Sequence, residues 1–453
     1  MTPRPSSPTV GIVGLGYVGM AAAAAFAHYG VRVVGFDLDA GRIQALRKGT
    51  TPILEEGLAA LLRSAFASRR LLLSDSLADL AQRCEVIFLC VQTPATSDGA
   101  IDLSYLAQAA LDLGRALHSV GKWRLVVVKS TVVPGTAEGL VSDVLKNSGP
   151  LRPGRDFAVA SNPEFLAEGT LVKDALHPAR IVIGVSEAKS SRLLRALYRR
   201  FPAPVRVLPV AAAELVKYAS NAMLALRVSY ANEMARLARK AGVDIDPVLT
   251  TVGEDPRIGP HFLRAGPGFG GSCFSKDVRA LASWARDHGV ETPVLTATLD
   301  GNELQALHVV ELTEEALGGL SGRRVALLGL SFKPGTSDVR DSRAYPIMEA
   351  LLRDGADVVL HDPHAADAFR HGLSPSATRE IGQRLSFAPS LKAALRGADG
   401  AIVQADWPEY RRLPPHAWRT LRGRVVIDTR RTLARDRLRA AGVRCVALGV
   451  GER

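Results

Sequence analysis

Long apolar runs are missing from this chain. The most alanine-rich stretch, Met20–Ala27, is far too short to cross a bilayer. The opening Met1–Thr9 is rich in proline and serine and has no apolar core, so no secretory signal is expected there. Cysteine is scarce, with four in 453 residues: Cys84, Cys90, Cys273 and Cys445. Their scatter matches neither metal-ligand spacing nor a disulfide framework, so no metal is expected and a cytoplasmic setting is. The formal net charge is +12, yet no basic run is longer than two and no aromatics are interleaved with the basic residues. That argues against a nucleic-acid partner and for a basic chain that handles phosphates. No low-complexity linker and no short-period repeat divides the sequence.

What is present is an ordinary globular balance, 47% apolar and 23% charged, over a length that one core cannot serve. Two or three domains are expected. Thr9–Asp37 reads TVGIVGLGYVGMAAAAAFAHYGVRVVGFD. A short apolar strand leads into Gly14-Leu15-Gly16-Tyr17-Val18-Gly19, then a small-residue helix, then a β-branched strand ending at Asp37. This is a dinucleotide-binding fingerprint in its required context. Gly14 permits the tight turn, Gly16 admits a pyrophosphate to the helix N-terminus, and Gly19 lets the helix sit on the sheet. Asp37 is placed to accept ribose hydroxyls and would repel a 2′-phosphate, so NAD is expected rather than NADP.

Further apolar runs alternate with helical patterns at Cys84–Val91, Leu125–Thr131, Phe157–Ala160 and Arg180–Val185, which predicts a doubly wound parallel sheet. Ligands on such sheets sit beyond the carboxyl ends of the strands. The segments there are Gln92-Thr93-Pro94, Lys129 to Thr136, and Ser161 to Gly169. Each also reads as a plain solvated loop, but together they would ring a nicotinamide. Residues 211–241 form the longest helical pattern, with apolar positions at 215, 216, 219, 223, 224, 226 and 230. Lys217 and Asn221 are four apart and share a face. Lys217 reads either as a snorkelling side chain or as a donor to a developing oxyanion.

Gly266-Pro-Gly268-Phe269-Gly270-Gly271-Ser-Cys273-Phe-Ser-Lys276-Asp277 follows. Four glycines allow close ligand approach, and a helix starting near Ser272 would seat Cys273 at its N-terminus with Asp277 on the same face. The alternative is a buried structural cysteine. Arg257 and Arg264 read as phosphate contacts or as solvated loop residues. From Arg323 a second nucleotide-domain-like pattern begins, without GxGxxG and with Lys333 and Arg340 in its first loop. It should bind an anion other than a second dinucleotide. The division expected is 1–208 for NAD, 209–320 for a central helical part carrying the cysteine, and 321–453 for a second nucleotide-domain-like part that takes an anionic substrate. The fold class is α/β, two Rossmann-like doubly wound parallel-sheet domains joined by a long central helix.

Six ordered motifs give the chain a strong resemblance to the UDP-glucose/GDP-mannose dehydrogenase family. They are Gly14–Gly19, Ser130–Gly135, Asn162–Glu168, Glu214–Asn221, Gly268–Cys273 and Ser331–Thr336. The segment around the cysteine resembles the UDP-glucose branch most. The resemblance implies a homodimer or larger homo-oligomer that uses two NAD to oxidise the CH₂OH of UDP-glucose to a carboxylate. It assigns the covalent nucleophile to Cys273, oxyanion donors to Lys217 and Asn221, and water handling to Asp277. Thr131 and Glu164 are given proton transfer and water positioning, leaving open which is the base. It puts Glu164, Phe165, Leu166, Glu168, Lys217 and Asn221 at the sugar, and Arg264, Phe269, Gly270 and Lys333 at the uridine diphosphate. Arg257 would reach a neighbouring subunit's substrate. Arg42, Thr93, Thr131, Glu168, Lys276 and Arg340 would touch the cofactor. Departures are Gln92, Ser275 in place of Pro, and Arg431 in place of Asn; they bear on base or sugar preference. GDP-mannose or a UDP-N-acetylhexosamine is the alternative substrate. A two-electron β-hydroxyacid dehydrogenase and a non-catalytic NAD scaffold are more distant alternatives.

Overall fold

The structure, a computed structural model, describes residues 8–53 and 55–451. The chain divides into two compact units, Met1–Ser220 and Asn221–Arg453. The first holds eight strands: β1 (Val10–Val13), β2 (Val33–Phe36), β3 (Leu71–Leu73), β4 (Val86–Leu89), β5 (Arg124–Val128), β6 (Phe157–Ser161), β7 (Ile181–Val185) and β8 (Val205–Leu208). They lie in the order β3-β2-β1-β4-β5-β6-β7-β8. Apolar β-branched and leucine side chains fill both faces, as a sheet covered by helices on each side requires. One pair departs from the parallel rule: β6 and β7 run antiparallel, with Ala160 opposite Val185 and Ser161 opposite Gly184. β4, β5 and β7 are shorter than the apolar windows, while β6 runs one residue past its window to Ser161.

The helix Tyr17–His28 is buried along its whole middle, from Gly19 to Ala27. An alanine run suits that place: it has the best helix propensity and lets the helix approach the sheet closely. A Cβ at Gly19 would stand 1.8 Å from the Gly14 carbonyl oxygen, so only glycine allows this contact.

The second unit opens on the later turns of a 31-residue helix, Val210–Lys240, one residue off the expected span at each end. Ala231, Ala235 and Ala238 on it pack with Ile245, Leu249 and Ala265. The helix Pro293–Leu317 begins with proline in its first turn and ends on Gly318 at φ +70. Six strands follow: β9 (Arg324–Leu328), β10 (Asp357–His361), β11 (Leu385–Phe387), β12 (Gly400–Val403), β13 (Val425–Asp428) and β14 (Arg444–Ala447). All pair in parallel in the order β11-β10-β9-β12-β13-β14. This repeats the order of the first six strands of the first unit.

The repeat extends to single hydrogen bonds. Gly14 has φ +90 and donates to Phe36 O at 2.9 Å; Gly329 has φ +89 and donates to His361 O at 2.8 Å. Leu15 N donates to Asp37 at 2.6 Å, and Leu330 N donates to Asp362 at 2.7 Å. Each aspartate also accepts from the amide two residues on, at 2.8 and 2.9 Å. The second unit thus carries the same turn geometry without the glycine spelling of the first.

Candidate active site

The first turn fits a dinucleotide. Gly16 caps the Tyr17–His28 helix with no side chain over its N-terminus, and a Cβ there would meet nothing within 4 Å. Asp37 follows β2 with its carboxylate held by Leu15 N and Asp39 N, while Arg42 Nη1 lies 2.9 and 2.8 Å from its two oxygens. An acid and a guanidinium thus lie together past the end of β2, tied to the Gly14–Gly19 turn through Leu15 N. The equivalent acid of the second unit is committed to protein donors. Asp362 is buried and accepts from Trp407 Nε1 at 2.9 Å, Ser331 N at 3.1 Å and Ala365 N at 2.8 Å. The indole of Trp407 is a donor with no counterpart at Asp37, whose bonds come from two backbone amides and the Arg42 side chain.

Past the carboxyl ends of β4, β5 and β6 the expected polar loops converge. Thr93 donates to the carbonyl of Thr131 at 2.9 Å. Glu164 Oε1 accepts from Lys217 Nζ at 2.9 Å, and Glu164 Oε2 from Leu166 N at 2.5 Å. Both side chains of the Lys217–Glu164 pair are almost fully buried, 4% and 10% exposed. Burial pushes the Glu164 carboxyl up, but the Lys217 charge and hydrogen bond outweigh it, with help from Leu166 N and Lys129, and hold it below the ordinary range. The Phe165 ring has Arg180 Cζ at 4.1 Å and Lys217 Nζ at 5.7 Å from its centroid. Glu168 is half-buried on the same loop.

The sequence reading gave no role to three buried groups here. Lys129 is buried and donates to Asn162 Oδ1 at 2.9 Å; Tyr198 donates to that same oxygen at 2.5 Å. Glu214, three residues before Lys217, accepts from Gly135 N at 2.7 Å and Ala137 N at 2.9 Å. It fastens the long helix to the segment after Thr131. Burial raises its carboxyl to about 7. Its place at the head of the Glu214–Asn221 motif, inside an alanine-rich helix, was the signal available for it.

In the second unit, Cys273 caps the helix Phe274–Asp287, and Asp277 N donates to Cys273 O at 2.8 Å. The thiol is exposed and stands 3.6 Å from Ser272 Oγ. Asp277 is buried one turn on, with Asn221 Nδ2 at 2.6 Å on one oxygen and Lys276 Nζ at 2.6 Å on the other. Cys84, Cys90 and Cys445, by contrast, are desolvated and their thiols are each pushed up to about 12. Only Cys273 of the four is exposed.

Buried amides shape the glycine loop before the cysteine, and sequence reasoning missed them as well. Asn232 Oδ1 accepts from Gly266 N at 2.8 Å, and Gln305 Nε2 donates to Gly266 O at 2.8 Å. Asn302 pairs with Phe269 like a neighbouring strand, accepting from its N–H at 2.7 Å and donating to its carbonyl at 3.0 Å. Gly270 needs to be glycine because a Cβ there would lie 2.3 Å from Asp341 O. Lys333 Nζ lies 5.3 Å from the ring centroid of Phe332, whose edge faces Gly271.

Of the remaining arginines, Arg257 and Arg340 hold partners two residues away and Arg264 and Arg431 hold distant ones. Arg257 is 87% exposed and pairs with Asp255 at 2.6 Å; Arg340 pairs with Asp338 at 2.6 Å beside Gly271. Arg264 donates to Arg430 O at 3.1 Å. Arg431 has φ +56, a conformation that asparagine tolerates better. It is fixed there by Asp244 at 2.5 Å and Asp246 at 2.7 Å.

Fold and cofactor turn together define an NAD-dependent dehydrogenase carrying a second nucleotide-binding fold. Three family models tile the chain: the NAD-binding domain over 8–202, the central domain over 211–304 and the UDP-binding domain over 326–435. The chain belongs to the UDP-glucose/GDP-mannose dehydrogenase family. It is 36% identical over 435 residues to the UDP-glucose 6-dehydrogenase TuaD of Bacillus subtilis, covering 96% of this chain and 91% of that one. The UDP-glucose 6-dehydrogenase AglM of Haloferax volcanii is 40% identical over 429 residues, with 94% and 97% covered. Among solved structures, a UDP-glucose dehydrogenase from Pyrobaculum islandicum superposes with a TM-score of 0.89 at 40% identity, covering 99% of this chain and 100% of that one. A UDP-D-ManNAc dehydrogenase from Pyrococcus horikoshii gives 0.84 at 28% identity, covering 98% and 100%. Among the described residues no helix is long and apolar enough to cross a membrane.

Proposed function

We propose that this enzyme oxidises UDP-glucose to UDP-glucuronate in two steps on one site. The observation that carries the reading is the exposed Cys273 at a helix N-terminus, with a buried, doubly held Asp277 one turn along. Bound NAD would supply the hydride acceptor. The chain's own residues account for the rest. In the first oxidation the sugar CH₂OH loses a hydride and a proton. Glu164 takes the proton, directly or through water or the Thr131 hydroxyl, and Lys217 and Asn221 donate to the alkoxide that forms. An aldehyde carbon cannot give up a second hydride usefully until a nucleophile has added. The Cys273 thiolate adds to it, making a thiohemiacetal; loss of hydride leaves a thioester. A water held by Asp277 attacks the thioester carbon and gives one proton to that carboxylate; the C–S bond breaks, the thiolate is regenerated, and the acid leaves as the carboxylate with its second proton passing to solvent. Arg264, Phe269, Gly270 and Lys333 would hold the uridine diphosphate. The division at about 208 and 320 follows from this assignment of parts.

Absorbance at 340 nm tests the reading with UDP-glucose, GDP-mannose, UDP-N-acetylglucosamine and UDP-N-acetylmannosamine in turn. The expected result is two NADH per UDP-glucose consumed. One NADH per sugar refutes the thioester route. Faster turnover of UDP-N-acetylmannosamine would favour the second reading, which the likeness to the Pyrococcus horikoshii enzyme supports.

The reading includes a homo-oligomer in the cytoplasm. Met223, Tyr230 and Leu237 are 57%, 45% and 59% exposed at seven-residue intervals, so they line one face of the long helix. A second copy covering that face accounts for them. The double substitution Met223→Asp, Tyr230→Asp is expected to halve the mass seen by light scattering. A monomeric wild type would overturn this part.

A further inference from the structure

Glu55 belongs to none of the groups assigned so far. It sits half-buried on the loop that enters the helix Leu58–Ala67. Its Oε1 accepts from the Tyr17 hydroxyl at 2.5 Å and from the backbone N–H of Gly169. Tyr17 opens the Tyr17–His28 helix, directly after the bare Gly16 turn. Gly169 closes the loop that carries Glu164, Phe165, Leu166 and Glu168. The rest of that loop end is fastened by Asp174, which accepts from Ala167 N at 3.1 Å and from Thr170 Oγ1 at 2.7 Å. The Glu55 loop also lies near the helix Leu171–Leu176: a Cβ at Gly57 would lie 3.8 Å from Val172 Cγ1. One carboxylate oxygen therefore receives one donor from the dinucleotide turn and one from the sugar loop. Two loops that share an acceptor cannot move independently, because displacing either changes the geometry of the other's bond.

We propose that Glu55 is a positioning residue that couples occupancy of the dinucleotide turn to the placement of the 162–170 loop, so that cofactor and nucleotide sugar strengthen each other's binding. The inference rests on the assignment of those two loops to NAD and to the sugar. Coupling of this kind is reciprocal and typically about 5-fold or more.

The test is fluorescence titration of the full-length protein with NADH, with and without saturating UDP-glucose, a pair that cannot turn over. Wild type should bind NADH about 5-fold or more tightly when UDP-glucose is present. Glu55→Ala should bind NADH alone within about threefold of wild type and lose most of the enhancement, as expected when a coupling contact is removed. Glu55→Gln keeps a weaker, uncharged acceptor and should show an intermediate value. Absence of enhancement in wild type, or full wild-type enhancement in whichever variants fold, overturns the proposal. Failure of wild type to bind NADH at all would instead overturn the cofactor assignment on which it rests.

Discussion

Cys273→Ser should stop acid formation while leaving the protein folded and able to bind both ligands. The expected loss in UDP-glucuronate production is on the order of 10³-fold or more, the scale seen when a covalent nucleophile is removed. The substitution is conservative in volume, and the site is exposed, so no cavity or buried polar group is created. What changes is the nucleophile. A serine hydroxyl is a far weaker acid than a thiol, and the position of residue 273 at a helix N-terminus favours a thiolate. Any ester formed on serine would also hydrolyse more slowly than a thioester. Product analysis by chromatography, alongside NADH yield, checks the expectation. Full conversion to the acid by the variant would show that water adds directly to the aldehyde and that the thiol is dispensable.

The sequence made some of this site legible and hid the rest for a physical reason. The turn from Gly14 to Gly19, the acid at Asp37 and the seat of Cys273 depend on local spacing, and each lies where the spacing put it. The pairing of Lys217 with Glu164 joins residues 53 apart, and only the resemblance to known enzymes put both at one place. Asn232, Asn302 and Gln305 act through bonds to backbone 33 to 39 residues away, with nothing in their own neighbourhood to mark them. The second nucleotide fold shows the same limit from the other side. Its glycine spelling differs, so the equivalence of Asp362 with Asp37 emerges only when both strands and both turns are in place. Arg431 shows how a departure from the family pattern is accommodated: the left-handed backbone stays, and two aspartates bind the longer side chain.

Lys217→Met should damage both chemistry and folding, and the two effects separate by pH. Removing a preorganised donor from a developing oxyanion lowers kcat by about 10²–10³-fold. The same change leaves Glu164 buried without its cation. In the wild type the folded-state pKa of Glu164 lies below its unfolded value. Its contribution to stability is therefore present above about pH 4.3 and fades as pH falls through the lower folded value. In the variant desolvation, the largest influence, is countered only by the Leu166 N–H and Lys129, and the folded pKa is expected to move above the unfolded one. The sign reverses: stability is retained at low pH and lost as pH rises through the new value. The difference between the two proteins should be small near pH 4 and reach about 3–5 kcal/mol near pH 8, the usual cost of orphaning a buried charge. Denaturant unfolding at several pH values measures it. A difference that stays constant with pH would mean that Glu164 does not carry its charge when buried, and Lys217 would then be acting on the substrate alone.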